Sequence, residues 1–366
     1  MQIHTTVPVA DITGAGRLFA ELEAAGYDGA NTYETKHDPF LPLALAAETT
    51  STLGLGTAIT IAFARNPMLL ATSARDLQDL SGGRFTLGLG PQVRPHITRR
   101  YSMPWSRPAD RMREMVLAIR AIWDAWDGIE PLDFRGEFYT HTLLPPAFNP
   151  GPHRHGRAPI HVGGVGPRMV AVAGEVADGL IAHPFASRRS LEELVLPALG
   201  AARQRDGFQV VVVVMLATGD TGPDLDEAVA TVRGQIAFYG STPAYAPVLE
   251  LHGWGDLHAR LNSLSKAGRW EDMAELVPDE LVETIAVVGR RDQLAPAIAE
   301  KVTGLADVVT LECTRRPDPD HFADIVADLR PLVSTDSPVT TPTGDTATAA
   351  PTRRVPRRAH PAGDEP

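Results

Sequence analysis

Apolar positions recur along this chain in two ways. Short, nearly unbroken apolar runs alternate with segments whose apolar residues step by three or four, the patterns of buried strands and of one-sided helices. MQIHTTVPV reads as a strand, and DITGAGRLFAELEAAG as a helix that stops at Gly26, since glycine suits the left-handed residue that closes many helices. YDGANTYE with PFLPLALAAETTS repeats the couple, and LGLGTAITIA with PMLLATSARDLQDLSGG repeats it again. In this last helix Leu70, Ala74, Leu77 and Leu80 share a face, and Pro67 takes a first-turn position where its missing N–H costs nothing. RFTLGLG is a fourth strand. A long connection then leads to the helix ADRMREMVLAIRAIWDAW, where Met112, Met115, Val116, Ile119, Ile122, Trp123 and Trp126 predict a core-facing stripe.

PLDFRGEFYTH predicts a small hairpin with Gly136 at its turn. RAPIHVGGVG, DGLIAHPF and FQVVVVVMLATG are three further strands, separated by the helices PRMVAVAGEVA and SLEELVLPALGAARQRDG. A helical stretch from Asp224 to about Val288 precedes the helix RDQLAPAIAEKVTG and the final strand ADVVTLEC. Strands that are apolar throughout are covered on both faces. About eight strand–helix couples in series predict an α/β fold closed into a (β/α)8 barrel. The barrel spans 1–333, with an insertion at about 220–288 between the last two strands. From residue 334 to 366 the chain is rich in Thr, Pro, Ala and Asp, too poor in apolar side chains to offset ordering, so it reads as a disordered, solvated tail.

Composition narrows the function. A net charge of −11 argues against nucleic acid as a partner, which requires a positive footprint. One cysteine, Cys313, excludes an internal disulfide and fits a reducing, cytoplasmic setting. Neither a signal peptide nor a run long enough to span a bilayer is expected. His153 and His155 sit in a Pro/Gly loop without metal-ligand spacing, so no metal site is expected.

In a barrel of this kind the site lies at the C-terminal ends of the strands. The second strand ends in YETKHDPF, which puts His37 on that rim as a proton donor or acceptor near neutral pH. The fifth strand ends in VGGVGP before a helix, where glycines and a helix N-terminus suit an anion such as phosphate. The third glycine of a dinucleotide fingerprint is absent there. A phosphate seat with few charged groups suits an organic cofactor that brings its own reactivity.

The blocks EAAGYDGANTYETKHDPF, LGLGTAITIAFARNPMLLATSARDLQDLSGGRFTLGLG, SRPADRMREMVLAIRAIW and VGGVGPRMVAVAGEVADGLI together resemble the bacterial-luciferase-like superfamily. More closely they resemble its branch of coenzyme F420-dependent oxidoreductases, over about residues 1–330. The resemblance implies hydride transfer between the deazaflavin and a small organic substrate. It places His37 beside the reactive ring and implies a non-prolyl cis peptide at Ala58–Ile59. It implies cofactor contacts from Ala58, Ile59, Thr60, Gly90, Gly163, Gly164, Gly166, Pro167, Ala173 and Gly174. Arg65, Gln92, His96, His183 and Phe185 are the rim candidates for substrate. Phe40 and Leu41 stand where sugar-phosphate dehydrogenases of the branch carry a tryptophan, and Gln92, Arg94 and His96 stand where they use a glutamate, which speaks against glucose 6-phosphate. An FMN-dependent monooxygenase using O2 is the second reading, and a non-catalytic flavin-binding barrel the third. Dimers or larger assemblies are expected from the resemblance.

Overall fold

The computed structural model describes residues 1–8, 11–313 and 319–334; apart from Ser334, the tail expected at 334–366 lies outside them. Eight parallel strands form a ring: β1 Gln2–Val7, β2 Gly29–Thr32, β3 Gly54–Thr57, β4 Phe85–Gly90, β5 Ile160–Gly164, β6 Gly179–Ala182, β7 Gln209–Thr218 and β8 Val308–Cys313. Each pairs with the next in chain order, and β8 returns to β1 with Val308 opposite Gln2. The helices used below are α1 Ala15–Ala24, α2 Phe40–Thr49, α3 Pro67–Leu80, α4 Pro108–Trp126, α5 Pro167–Val176, α6 Gly222–Gly240, α7 Arg291–Val302 and α8 Pro319–Val333. This is the closed (β/α)8 barrel that the strand–helix alternation predicts. No helix among the described residues is long and apolar enough to cross a membrane.

Period-two alternation divides the strand residues between two cores. Ile3, Leu55, Leu87, Val162, Val210, Val212, Val309 and Leu311 face outward and pack with the helices. Ile181, Val211, Val213 and Val308 fill the barrel with Ala58 and Ile59 against them. The stripe from Met112 to Trp126 on α4 is buried as expected, and Gly26 closes α1 at φ 87°.

One device recurs on the N-terminal rim. Asp28, Asp178 and Asp307 each stand just before a strand, and each accepts a backbone amide from the first or second residue of the preceding strand, Ile3, Ile160 and Val210, at 2.8 Å. Arg330 and Arg120 add ion pairs to Asp28 and Asp178 at 3.1 and 2.9 Å. A carboxylate that satisfies a buried amide near the start of a strand locks register at the rim that serves stability.

Four expectations are corrected. The stretch SLEELVLPALGAARQRDG is broken into Arg188–Ser190, a π turn Leu191–Val195, Leu196–Leu199 and a 3-10 turn Gly200–Gln204, because Pro197 withdraws a donor from the helical ladder. Leu80, expected on the inner face of α3, is 48% exposed; it is the last residue of that helix. The third strand stops at Thr57, and Thr60–Ile61 resumes pairing against β4. The helical stretch to Val288 ends earlier, at Ile285, and Val287–Gly289 forms a short strand on β7. Its cause is length: β7 has ten residues, so Ala217 and Thr218 project beyond its pairing with β8 and, with the other edge of Leu216, offer a free edge to a β-branched partner.

Candidate active site

The C-terminal ends of β2 and β3 meet first. The Glu34 amide donates to the Ile59 carbonyl and the Ala58 amide to the Thr32 carbonyl, at 3.1 and 2.7 Å. The peptide bond between Ala58 and Ile59 is cis. The Glu34 carboxylate accepts from the Ile61 amide at 2.8 Å, the Thr60 hydroxyl at 3.0 Å and the Tyr101 hydroxyl at 3.1 Å, and pairs with Arg65. Arg65 also holds Asp38 at 2.9 Å, while Asp38 accepts the Phe40 amide at 2.8 Å and so opens α2. Within ETKHDPF the two carboxylates are therefore braces. His37 is half-buried, and no hydrogen bond ties its ring to another described residue, which leaves both ring nitrogens for a ligand.

The wall of the site continues over β4 and β5. Gly90 and Gly163 face Ile59: an added Cβ at Gly90 would come 2.7 Å from the Ile59 side chain, and one at Gly163 would come within 3.2 Å. Only glycine leaves this surface flat and the Ile59 side chain unobstructed. Beyond Gly164 the chain turns at Gly166, where a Cβ would meet nothing within 4 Å, into α5 with Pro167 as its first residue. The amides of Met169 and Val170 bond to the Gly166 carbonyl, whereas those of Gly166 and Arg168 have no acceptor among the described residues. Two free amides at a helix N-terminus have the chemistry to donate hydrogen bonds to an anion.

The remaining wall comes from β6, β8 and the insertion. The His183 Nδ1 accepts the Phe185 amide at 3.0 Å. Its ring packs edge-on against Tyr239 with centroids 4.6 Å apart, and tilted against Tyr245 at 4.6 Å. Burial lowers its pKa to about 3, so this imidazole is neutral. At the end of β8, alternation turns Glu312 inward with Val308 and Thr310. Its Oε1 accepts from Gln235 Nε2 at 3.2 Å, and the same nitrogen reaches the Tyr239 hydroxyl at 3.1 Å. Burial raises the Glu312 pKa, against a smaller opposing effect of the Gln235 hydrogen bond.

The candidates thus fall into three groups. His37, Ala58, Ile59, Thr60, Gly90, Gly163, Gly164, Gly166 and Pro167 occupy successive strand ends from β2 to β5, and His183 closes the ring from β6. Ala173 and Gly174 do not join them. They lie deeper in α5, where a Cβ on Gly174 would meet Ala202 at 3.0 Å and the Leu199 carbonyl at 3.1 Å; their small size serves helix packing. Phe185 is only 1% exposed and packs against Tyr239 and Tyr245, so it supports the wall from behind. Arg65 is consumed by Glu34 and Asp38. Gln92, at φ 59°, turns the loop after β4, and its side chain accepts the Val93 amide at 2.9 Å. His96 lies on the π turn His96–Arg100, with Nδ1 buried and unpartnered.

Tyr33, Gln235, Tyr239, Tyr245 and Glu312 were absent from the sequence-derived set. Two signals point to three of them: the four-residue step from Gln235 to Tyr239, which puts both on one helix face, and the lone carboxylate Glu312 at an inward position of an otherwise uncharged β8; Tyr33 and Tyr245 carry no local signal.

The family model for luciferase-like monooxygenases matches residues 2–307. An uncharacterized protein of Mycobacterium tuberculosis is 52% identical over 79% of this chain and 86% of its own. The 5,10-methylenetetrahydromethanopterin reductase of Archaeoglobus fulgidus is 28% identical over 78% of this chain and 86% of the reductase. The coenzyme F420-dependent tetrahydromethanopterin reductase of Methanopyrus kandleri superposes with a TM-score of 0.73 at 20% identity, covering 91% of this chain and 99% of that one. The oxygenating constituent of 3,6-diketocamphane monooxygenase of Pseudomonas putida, in complex with FMN, superposes with a TM-score of 0.62 at 17% identity, covering 91% and 98%. At those identities the two structures establish likeness of fold.

Proposed function

The chain belongs to the luciferase-like monooxygenase family, and from that premise we propose that it is a coenzyme F420-dependent oxidoreductase acting on a small organic substrate. The deazaflavin, when bound, supplies a carbon that accepts or gives a hydride. The observation that carries the reading is the joined surface of Ile59, Gly90 and Gly163 beside the open Gly164–Gly166 turn. A flat wall beside a free-amide seat fits a planar ring at one end and a phosphate at the other; Arg168, the residue after Pro167, is 80% exposed in its side chain and is paired with Asp110 at 3.4 Å.

His37 stands after β2 on the same rim, with its ring unclaimed by the described residues, and holds or moves the proton on the substrate oxygen. Neutral His183 lines the wall and limits water. The similarity to a methanopterin reductase supports the deazaflavin; the family's description and the FMN complex of one structural neighbour support an FMN-dependent monooxygenase as the second reading.

Fluorescence titration separates them: F420 is expected to bind more tightly than FMN, and tighter FMN binding transfers the assignment to the monooxygenase. His37→Ala should lower turnover about 100-fold while cofactor affinity shifts less than threefold. Unchanged turnover removes His37 from the catalytic role.

A further inference from the structure

The mouth of the barrel between β6, β8 and α6 carries groups that, His183 apart, neither the proposed hydride chemistry nor the phosphate seat uses. Tyr33, His183, Gln235, Tyr239, Tyr245 and Glu312 all retain partial exposure. Yet burial is the leading cause of the shifted titration of Tyr33, His183, Tyr239, Tyr245 and Glu312. These half-buried side chains converge from β2, β6, β8, α6 and the segment after α6 on the open mouth of the barrel. Three rings meet there, with His183, Tyr239 and Tyr245 all within 5.8 Å centroid to centroid. Glu312 is held by Gln235 alone among the described residues, through one oxygen at 3.2 Å. An ionised carboxylate in such a place would call for a cation or several donors; a neutral carboxyl beside an amide needs neither, and its second oxygen remains free to face a ligand.

Resting on the reading of this rim as the active site, we infer that this part of the mouth binds an uncharged substrate with a flat apolar or aromatic body, orienting its hydroxyl or carbonyl oxygen by a hydrogen bond to Glu312. The aromatic wall supplies ring-face and ring-edge contacts to the body, and the Gln235 hydrogen bond sets the rotamer of the carboxyl. Anionic compounds are disfavoured because their charge would be buried beside a carboxyl, without a counter-ion from these six residues. Glu312 is assigned as a substrate-orienting residue, and α6 as the element that sets selectivity.

Binding to the full-length, cofactor-free protein tests this without relying on turnover. Acetophenone and 1-phenylethanol, followed by saturation-transfer NMR and calorimetry, should bind at least tenfold more tightly than benzoate or glucose 6-phosphate. Glu312→Leu should weaken acetophenone about tenfold and Glu312→Gln less than threefold, since both fill the space and only the amide keeps a hydrogen bond. Tyr239→Ala should weaken it at least tenfold, with circular-dichroism melting used to check that the fold is retained. Tighter binding of benzoate or glucose 6-phosphate overturns the substrate class. Equal affinity in wild type, Glu312→Leu and Glu312→Gln overturns the role of Glu312. Because no cofactor is present, tighter FMN than F420 in the separate titration leaves this result untouched, and failure here leaves the cofactor assignment untouched.

Discussion

The two rims of the barrel use the same side-chain chemistry to opposite ends. On the N-terminal rim, Asp28, Asp178 and Asp307 each hold a strand-end amide. Nearby, Glu23 accepts the amides of Ser51, Thr52 and Leu53 at 2.9, 2.6 and 2.8 Å. Of these carboxylates Glu23 is saturated with donors from the protein, Asp28 and Asp178 each hold an arginine as well as their amide, and Asp307 holds its one amide. On the C-terminal rim Glu34 is equally saturated, but Glu312 has one amide donor and His37 has no partner among the described residues. The difference teaches where to look for ligand chemistry: a polar group whose hydrogen-bonding capacity the fold has consumed is architecture, and one left with spare capacity is available.

The sharpest way to break that contrast is to exchange the effects. Asp28→Ala strands the Ile3 amide and frees Arg330, so chemical denaturation should report a loss of about 2 kcal/mol, with cofactor affinity unchanged. Glu312→Gln, by contrast, should alter stability by less than about 0.5 kcal/mol. If Asp28→Ala proves silent while Glu312→Gln unfolds the protein, the division between rims is wrong.

A second, smaller effect follows pH. Hydrogen bonds from Ser51, Thr52 and Leu53 outweigh the desolvation that opposes them and hold Glu23 down to about 2 from 4.5. The folded state therefore binds fewer protons than the unfolded state between those values. The stabilisation is full above about 4.5 and is lost as pH falls towards 2. For Glu312, raised by burial, the sign reverses: the folded state holds its proton longer, and stability declines as pH rises past the unfolded value. Glu23→Gln should flatten the acid limb of a melting-temperature profile, and Glu312→Gln the decline above it. Parallel profiles in wild type and both variants would show that neither carboxyl is placed as described.

The smallest effect belongs to the flat wall. Gly90→Ala sets a methyl against the flexible end of Ile59, which can swing away, so stability should hold within about 0.5 kcal/mol while cofactor affinity drops several-fold. An unchanged affinity would remove Gly90 from the ring-facing surface.

Much of this was legible from the residues. Buried strands announce themselves by unbroken apolar runs such as Val210–Val214, and α4 by its three-and-four stepping, because both patterns are local. The turn from Gly164 through Gly166 into the helix at Pro167 was legible for the same reason, since glycine followed by proline marks a strand-to-helix turn. What escaped depends on distance along the chain. Glu34 meets Tyr101 and Arg65, and Glu312 meets Gln235, across separations that no local period encodes. Ala173 and Gly174 lay near the turn in sequence, but helix geometry carries them towards Leu199 and Ala202. Val287–Gly289 was read as helix because nothing local says that β7 overhangs its neighbours by enough to recruit another strand.

That overhang separates scaffold from selectivity. The ring closes through pairings that end by Leu216 on β7, while the polypeptide between Gly222 and Ile285 is moored to its projecting tip by Val287–Gly289. Gln235 and Tyr239 thus ride on a cassette whose strand pairing to the barrel, among the described residues, runs through β7 alone, with Ser187 and Arg189 bonding to His252 and the Leu251 carbonyl. Grafting a different cassette onto the same mooring would change which molecules the enzyme admits and spare the reactive half of the mouth.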